Sequence, residues 1–204
     1  MSRHKPELSR EKIAATAIAI ADAEGFEAVT MRRLASEIGV GTMSLYHYVK
    51  TKEELVAMMD DALMADVILS SLPTDWRRAL CEIATRTHKV LVSHSWVFSS
   101  ILSASPGLNA MRHMEQCLQA LDGTPLTDQQ KLTLLAMVDD FVFGSALRDV
   151  LSAAHVDHAF AKKQLGSGNF PRLSAMFAGG NARPSKDRFE QGLHALLHAA
   201  GRKK

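Results

Sequence analysis

The run Thr30-Met-Arg-Arg-Leu-Ala-Ser-Glu-Ile-Gly-Val-Gly-Thr-Met-Ser-Leu-Tyr-His-Tyr-Val-Lys-Thr-Lys-Glu-Glu-Leu55 decides how this chain of 204 residues is read. Thr30 can cap a short helix with Leu34, Ala35 and Ile38 on its inner face, and Gly39 can close it. A further short helix is expected from about Thr42 to Val49, with Leu45 and Val49 at i, i+4. Two short helices joined by a tight Gly39-Val40-Gly41 turn form a helix-turn-helix, whose second helix can enter the major groove of DNA. With Leu45 and Val49 turned inward, Thr42, Met43 and Tyr46 fall on the exposed face. A methionine and an aromatic ring there suit a thymine methyl and a phosphate oxygen better than bulk water.

Charge sorts in the same place. From Ile38 to Lys52 there is no acidic residue, and Arg32 and Arg33 lie just upstream. From Glu53 to Asp66 the sign reverses: Glu53, Glu54, Asp60, Asp61 and Asp66 occur with no Lys or Arg. A local cationic surface followed by an anionic helix points to a localised anionic ligand, with phosphate the obvious candidate.

Working outward, Ser9 can cap a first helix carrying Ile13, Ala17, Ile20 and Ala21 and ending at Gly25. Thr51-Lys-Glu-Glu54 is a capping box, and a fourth helix is expected from Lys52 to about Leu69 with Leu55, Met59, Ala62 and Leu63. Beyond Pro73, Trp76, Leu80, Ile83, Ala84, Thr87 and Leu91 make one stripe. Leu108, Met111, Met114, Leu118 and Leu121 make another. Thr127-Asp-Gln-Gln130 is a second capping box, opening a helix to about Ala154. Residues 166–184 are rich in Gly and Pro and read as a loop holding one short helix around Pro171–Phe177. Ser185 can cap a last helix with Phe189, Leu193, Leu196, Leu197 and Ala200, closed by Gly201 and a basic tail. The expected fold is all-α: an N-terminal three-helix domain with the helix-turn-helix over 1–52, the fourth helix over 52–69 as connector, and a larger helical domain over 70–204.

Composition bounds the remainder. A hydrophobic content of 47% is ample for a core and excludes wholesale disorder. No run approaches 18 consecutive apolar residues, so no membrane-spanning helix is expected, and no apolar stretch follows the basic start as in a signal peptide. Cys81 and Cys117 lie in apolar, helix-like stretches and read as reduced, buried thiols of a cytoplasmic protein. The net charge of +2 names no partner by itself.

The quoted run resembles the DNA-binding segment of the TetR family, the tetracycline-repressor-like regulators. It has the opening Thr30, Leu34-Ala35, the turn glycine, the Ser44-Leu45-Tyr46 core and Lys50-Thr-Lys52-Glu-Glu-Leu55 in order and register. With the first helix and Gly25-Phe26 the likeness covers about the first sixty residues. It implies that Arg32, Thr42 and Met43 approach base edges of a double-stranded DNA operator. Tyr46 and Lys52 would grip phosphates, with Lys50 and His47 as further backbone contacts. Arg32 is the strongest base reader, since a guanidinium can pair bidentately with guanine. Tyr46 and Tyr48 are about 200° apart on a helix, so Tyr48 either reaches the backbone at the groove edge or packs.

The C-terminal part resembles the tetracycline-repressor type of domain more weakly, through Asp139-Asp-Phe-Val-Phe-Gly144, Phe170-Pro-Arg-Leu173 and Phe189-x-x-Gly-Leu193. The resemblance implies a homodimer in which the long and last helices pack on their two-fold copies. Gly144 and Gly192 cost about 1 kcal/mol each in a helix, and close helix approach is a reason to accept that. It also implies a cavity for a small apolar or amphipathic effector. Trp96, Phe98, Met111, Met114, Met137, Phe141, Phe143, Met176 and Phe177 are the apolar candidates for its lining. His94, Asn109, His113, Asp139, Arg148 and His155 are the polar ones. Where the tetracycline sensors carry a carboxylate that helps hold a magnesium–drug chelate, this chain has Arg148, beside Asp149. That argues against a metal-chelated ligand, and no cofactor is expected.

Enzyme readings find little support. His194-Ala-Leu-Leu-His198 lacks the Glu of a zinc protease, and His155-Val-Asp-His158 has no clear third ligand. The glycine pairs follow no strand, there is no G-x-S-x-G elbow, and neither cysteine has an activating neighbour. The expected function is a ligand-responsive transcriptional regulator that represses until an effector releases it. The alternatives are an all-α enzyme or binding module with a merely structural helix-turn-helix, or a TetR-like activator.

Overall fold

The computed structural model describes residues 8–100, 106–152, 159–178 and 187–200, and the regular structure among them is all helical. Three helices form the head: α1 (Arg10–Glu24), α2 (Met31–Ile38) and α3 (Thr42–Leu45). The connector is α4 (Lys52–Ala65). The body comprises α5 (Trp76–Ser93), α6 (Val97–Ser100), α7 (Leu108–Ala120), α8 (Asp128–Ser152), α9 (Ala159–Leu165), α10 (Pro171–Ala178) and α11 (Arg188–Ala200). Among the described residues no helix is long and apolar enough to cross a membrane.

The helices start where hydroxyls can cap them. Ser9, Thr30 and Thr51 accept from the N–H groups of Lys12, Arg33 and Glu54 at 3.1–3.2 Å, satisfying donors that have no intrahelical partner. At the second capping box Thr127 N–H donates to Gln130 Oε1 at 2.9 Å while Gln130 N–H returns to Thr127 Oγ1 at 3.3 Å. Ser185 lies outside the described residues.

Three departures from the periodicity have local causes. The recognition segment is helical only over Thr42–Leu45, because the N–H groups of Tyr48 and Val49 both return to Leu45 O and turn the chain. The connector stops at Ala65, short of Leu69. Asp66 and Val67 close it with i→i−3 bonds, and Gln116 draws Leu69 to α7 through both its backbone N–H (2.9 Å) and C=O (2.8 Å). Helices α6 and α9 were not legible as periodic stripes, being four and seven residues long.

One contiguous core runs from head to body. Ile13, Ala17, Leu34, Leu45 and Val49 fill the head, and Leu55 and Met59 of α4 carry it on. Leu80, Ile83, Val142, Leu193 and Leu197 fill the space where α5, α8 and α11 pack together. On α7 the apolar stripe misleads: Leu108, Met111 and Met114 are exposed, while Cys117, Ala120 and Leu121 are buried and Ala110 and His113 half-buried. Helix α7 packs against both α4 and α5, and its inner face carries mostly small side chains.

Close approach also explains Gly192. A Cβ there would lie 2.5 Å from Phe141 Cζ, and Phe141 is itself stacked on Phe189 at 5.7 Å. The tight contact is thus within one chain, between α11 and α8. At Gly144 an added Cβ would meet no atom of another helix within 4 Å among the described residues. Gly192→Ala gains about 1 kcal/mol of helix propensity but forces Phe141 off Phe189, so a net loss of about 1–2 kcal/mol is expected. In a Phe141→Ala background the same change should become stabilising. Urea unfolding of the four proteins of this cycle checks it; equal effects in both backgrounds would refute the contact.

Candidate DNA-reading head and effector cavity

In the head, Gly39 adopts φ 78°, and the N–H groups of Gly39 and Val40 return to Ala35 O at 3.0 Å. This left-handed residue ends α2 without strain and swings α3 across it. Leu45 and Val49 are fully buried, which leaves Met43 76% and Tyr46 38% exposed, with Ser44 and His47 exposed beside them and Thr42 half-buried. Arg32 is exposed and makes no ion pair among the described residues. Its neighbour Arg33 is committed inside the head, paired with Glu24 and Glu37 at 2.6 Å each. One guanidinium therefore braces α2, and the other is available.

The remaining head residues divide. Tyr48 is half-buried and packs on the core, the packing option of the sequence reading. Lys50 Nζ donates to Tyr46 O at 2.6 Å, and Lys52 Nζ lies 5.3 Å from the centroid of the Phe26 ring. Both lysines remain exposed. Arg10 is a residue that sequence reasoning missed. It donates to Tyr48 O and pairs with Glu54 at 2.8 Å, while Glu54 Oε2 accepts the Lys50 N–H at 2.7 Å. The end of the reading segment is thus tied to α1 and α4. These groups are 38 and 44 residues from Arg10 in sequence, and no local pattern signals the pairing.

A second brace joins head to body. Asp22 of α1 accepts from Trp96 Nε1 at 2.8 Å and from His94 Nδ1 at 2.8 Å. Phe26 stacks on Trp96, with centroids 5.9 Å apart and planes 4° apart. Trp96 and His94, both candidates for the cavity, face the head instead.

A partly open cavity of about 280 Å³ lies where α4, α5, α6, α7 and α8 meet. Leu63, Met64, Val67, Val90, Leu91 and Phe143 supply apolar wall; Asp60, Asp61, His113 and Asp139 supply polar groups, with Thr87, whose hydroxyl donates to Ile83 O at 3.0 Å. His113, Asp139 and Phe143 are the expected residues found there. Phe98 stands behind Phe143, edge to face at 6.3 Å, and is absent from the lining. Met111, Met114, Met137, Met176 and Phe177 are exposed, and Phe141 packs between Phe189 and Gly192. Arg148 is exposed, and Asp149 pairs with Arg188 of α11 at 2.6 Å; neither lines the cavity. The stripe of large residues pointed outward, whereas the lining comes from smaller aliphatics and from carboxylates.

Those carboxylates also hold the walls. Asp61 Oδ1 accepts from the N–H of Asn109 at 2.7 Å and of Ala110 at 3.3 Å, capping α7 from another helix. Asn109, expected in the cavity, also donates through Nδ2 to Asp61 O at 3.0 Å. A Cβ at Gly107 would fall 2.2 Å from Asp61 Oδ1, so only glycine lets the carboxylate in. Asp60 Oδ1 accepts from Ser100 Oγ of α6 at 3.0 Å. Burial raises the Asp60 carboxyl, the Ser100 bond opposing it. Asp139 is pushed up to about 6 by burial and then by the Asp140 charge, while burial lowers His113. Cys117 is pushed up to about 12 by burial, an inert buried thiol, as the sequence suggested. His194 and His198 are exposed with ring centroids 6.5 Å apart; His155 and His158 lie outside the described residues. Among the described residues no group of three His, Cys, Asp or Glu could hold a metal ion.

A helix-turn-helix head joined covalently through α4 to a helical body with a cavity is the architecture of one-component, ligand-responsive transcriptional regulators. Residues 13–59 match the family model for bacterial regulatory proteins of the tetR family, and residues 70–200 that for the tetracyclin repressor-like C-terminal domain. The chain belongs to the TetR family of DNA-binding transcriptional regulators. It is 33% identical to the HTH-type transcriptional repressor DrrR1 of Streptomyces coeruleorubidus, over 95% of this chain and 77% of that protein. The apo structure of ActR from Streptomyces coelicolor superposes with a TM-score of 0.79 at 26% identity, covering 98% of this chain and 96% of ActR. ActR in complex with actinorhodin gives a TM-score of 0.78 at 27% identity, covering 95% of this chain and 97% of that one.

Because folding raises the Asp139 carboxyl from its ordinary value near 3.8 to about 6, stability falls as pH rises from about 4 to about 6 and stays lower above. Asp139→Asn should therefore stabilise the protein at pH 7.5, by up to about 3 kcal/mol at roughly 1.4 kcal/mol per unit, with the gain shrinking towards pH 4.5. Urea unfolding at the two pH values measures this. A gain independent of pH would exclude the carboxylate as its source.

Proposed function

We propose that this protein is a homodimeric repressor that sits on a palindromic operator in the cytoplasm and is released when a small apolar or amphipathic effector fills the cavity of each protomer. The observation that carries this reading is the double duty of α4. Near its start, Glu54 holds Arg10 and the Lys50 N–H at the end of the reading segment. Two turns later Asp60 and Asp61 form part of the cavity wall and hold α6 and α7. A ligand that displaces Asp61 or Gly107 moves the rod on which the head is mounted. For release to follow, the effector must bind the DNA-incompetent arrangement more tightly than the competent one.

Dimerisation is supported by apolar side chains that a lone chain leaves in water: Leu132, Leu147 and Leu151 on α8, and Phe160, Phe170 and Met176 over 159–178. Two-fold pairing would set two heads at half-sites about one DNA turn apart. On the DNA, Arg32, Thr42 and Met43 are assigned to base edges and Tyr46, His47, Lys50 and Lys52 to the backbone, with Tyr48 bracing the segment from behind.

Binding to DNA upstream of its own gene, titrated at several salt concentrations, tests the reading; affinity indifferent to sequence and to salt would overturn it. Within a set of operator variants, Arg32→Ala should flatten discrimination at one base position by about 1–3 kcal/mol. Tyr46→Phe should weaken every variant alike, by several-fold, through one lost phosphate bond. Fluorescence anisotropy separates the two patterns, and their reversal would refute the assignment.

A further inference from the structure

We propose that the cavity selects an amphipathic organic cation, whose protonated nitrogen is received by the Asp60 and Asp139 carboxylates; this rests on the effector-site reading above. Among the described residues the lining carries three carboxylates, Asp60, Asp61 and Asp139, and no lysine or arginine. Asp61 is already spent on the N-terminus of α7. Asp60 is not: its Oδ1 takes one hydroxyl, while Oδ2 is shut off from solvent with no hydrogen-bond partner. A buried acceptor left without a donor carries its full desolvation cost, and a ligand donor that draws the Asp60 side chain towards the cavity removes it. Asp139 makes no ion pair with any described residue, and its displaced titration reports a carboxylate lacking a counter-charge.

The neighbouring groups favour the same sign. His113 lines the cavity, and its Nδ1 is also buried and unpartnered. Burial holds its imidazole towards the neutral form, so it does not supply the missing positive charge. An anion entering would face three carboxylates at low dielectric. A neutral alcohol could donate to Asp60 but would leave the net negative charge unbalanced. A cation satisfies both needs, and charge-assisted hydrogen bonds are the strongest available. Leu63, Met64, Val67, Val90, Leu91 and Phe143 would hold its hydrocarbon body.

The test uses three compounds that share one apolar cage and differ in charge: 1-aminoadamantane, 1-adamantanol and 1-adamantanecarboxylate. Isothermal titration of the full-length protein at pH 7.5 should rank the amine first, about tenfold or more ahead of the alcohol, with the carboxylate weakest. Asp60→Asn and Asp139→Asn should each lower affinity for the amine about fivefold or more while sparing the alcohol. Asp122→Asn, at an exposed position outside the lining, should alter neither. Thermal unfolding of each variant verifies that it is folded. Alcohol binding as tight as the amine, or an amine preference that survives both Asn variants, overturns the charge inference and leaves the cavity as an effector site. Failure of all three compounds to bind overturns the effector-site reading, and the charge inference with it.

Discussion

The Asp61 carboxylate takes N–H groups that α7 cannot satisfy by itself, and it can do so only because Gly107 has no side chain. A helix end in the interior must find an acceptor, and here the acceptor belongs to a different helix. That fixes α7 against α4, and with it one wall of the cavity. Asp60, one residue earlier, does the same for α6 through Ser100. The helix that carries both begins at Lys52, directly behind the reading segment. At 1.5 Å per residue its fourteen residues span about 20 Å. A rigid rod of that length transmits displacement of its body end to its head end.

The head is not held by α4 alone. Asp22 receives both Trp96 and His94, and the Phe26 ring meets both Trp96 and the Lys52 ammonium. This second brace joins α1 to the junction between α5 and α6, close to where Ser100 meets Asp60. Two braces at separate points define an orientation, whereas one would leave a pivot. A ligand acting on the α4–α6–α7 corner therefore works against both links together, and coupling arises from the difference in ligand contacts between two arrangements of that corner.

The head was largely legible because its signals are local. Ser9, Thr30 and Thr51 cap helices from positions one residue upstream, and Gly39 ends α2 through its own backbone conformation. Even there, Arg33 is told from Arg32 by its i+4 partner Glu37, but its second partner, Glu24 on α1, is decided only by how α1 and α2 pack. The cavity was legible in existence and poorly in membership. Large residues such as Met111 and Met176 were the natural candidates, yet both are 66% exposed. The inner face of α7 carries Ala110, His113 and Cys117, because a helix pressed against two neighbours has room for little else.

The sequence by itself determined the helical class, the caps, the turn of the helix-turn-helix and the outward set of Arg32, Met43 and Tyr46, since each depends on residues within a turn or two of one another. The tertiary structure alone decided that Trp96 braces the head, that Arg10 anchors the reading segment, and that Asp60 and Asp61 face the body. Those roles depend on groups 38 to 74 residues apart meeting at hydrogen-bond distance. Hydrophobic periodicity reports that a helix has an inner face; which neighbour presses on that face, and how closely, is settled only when the helices pack.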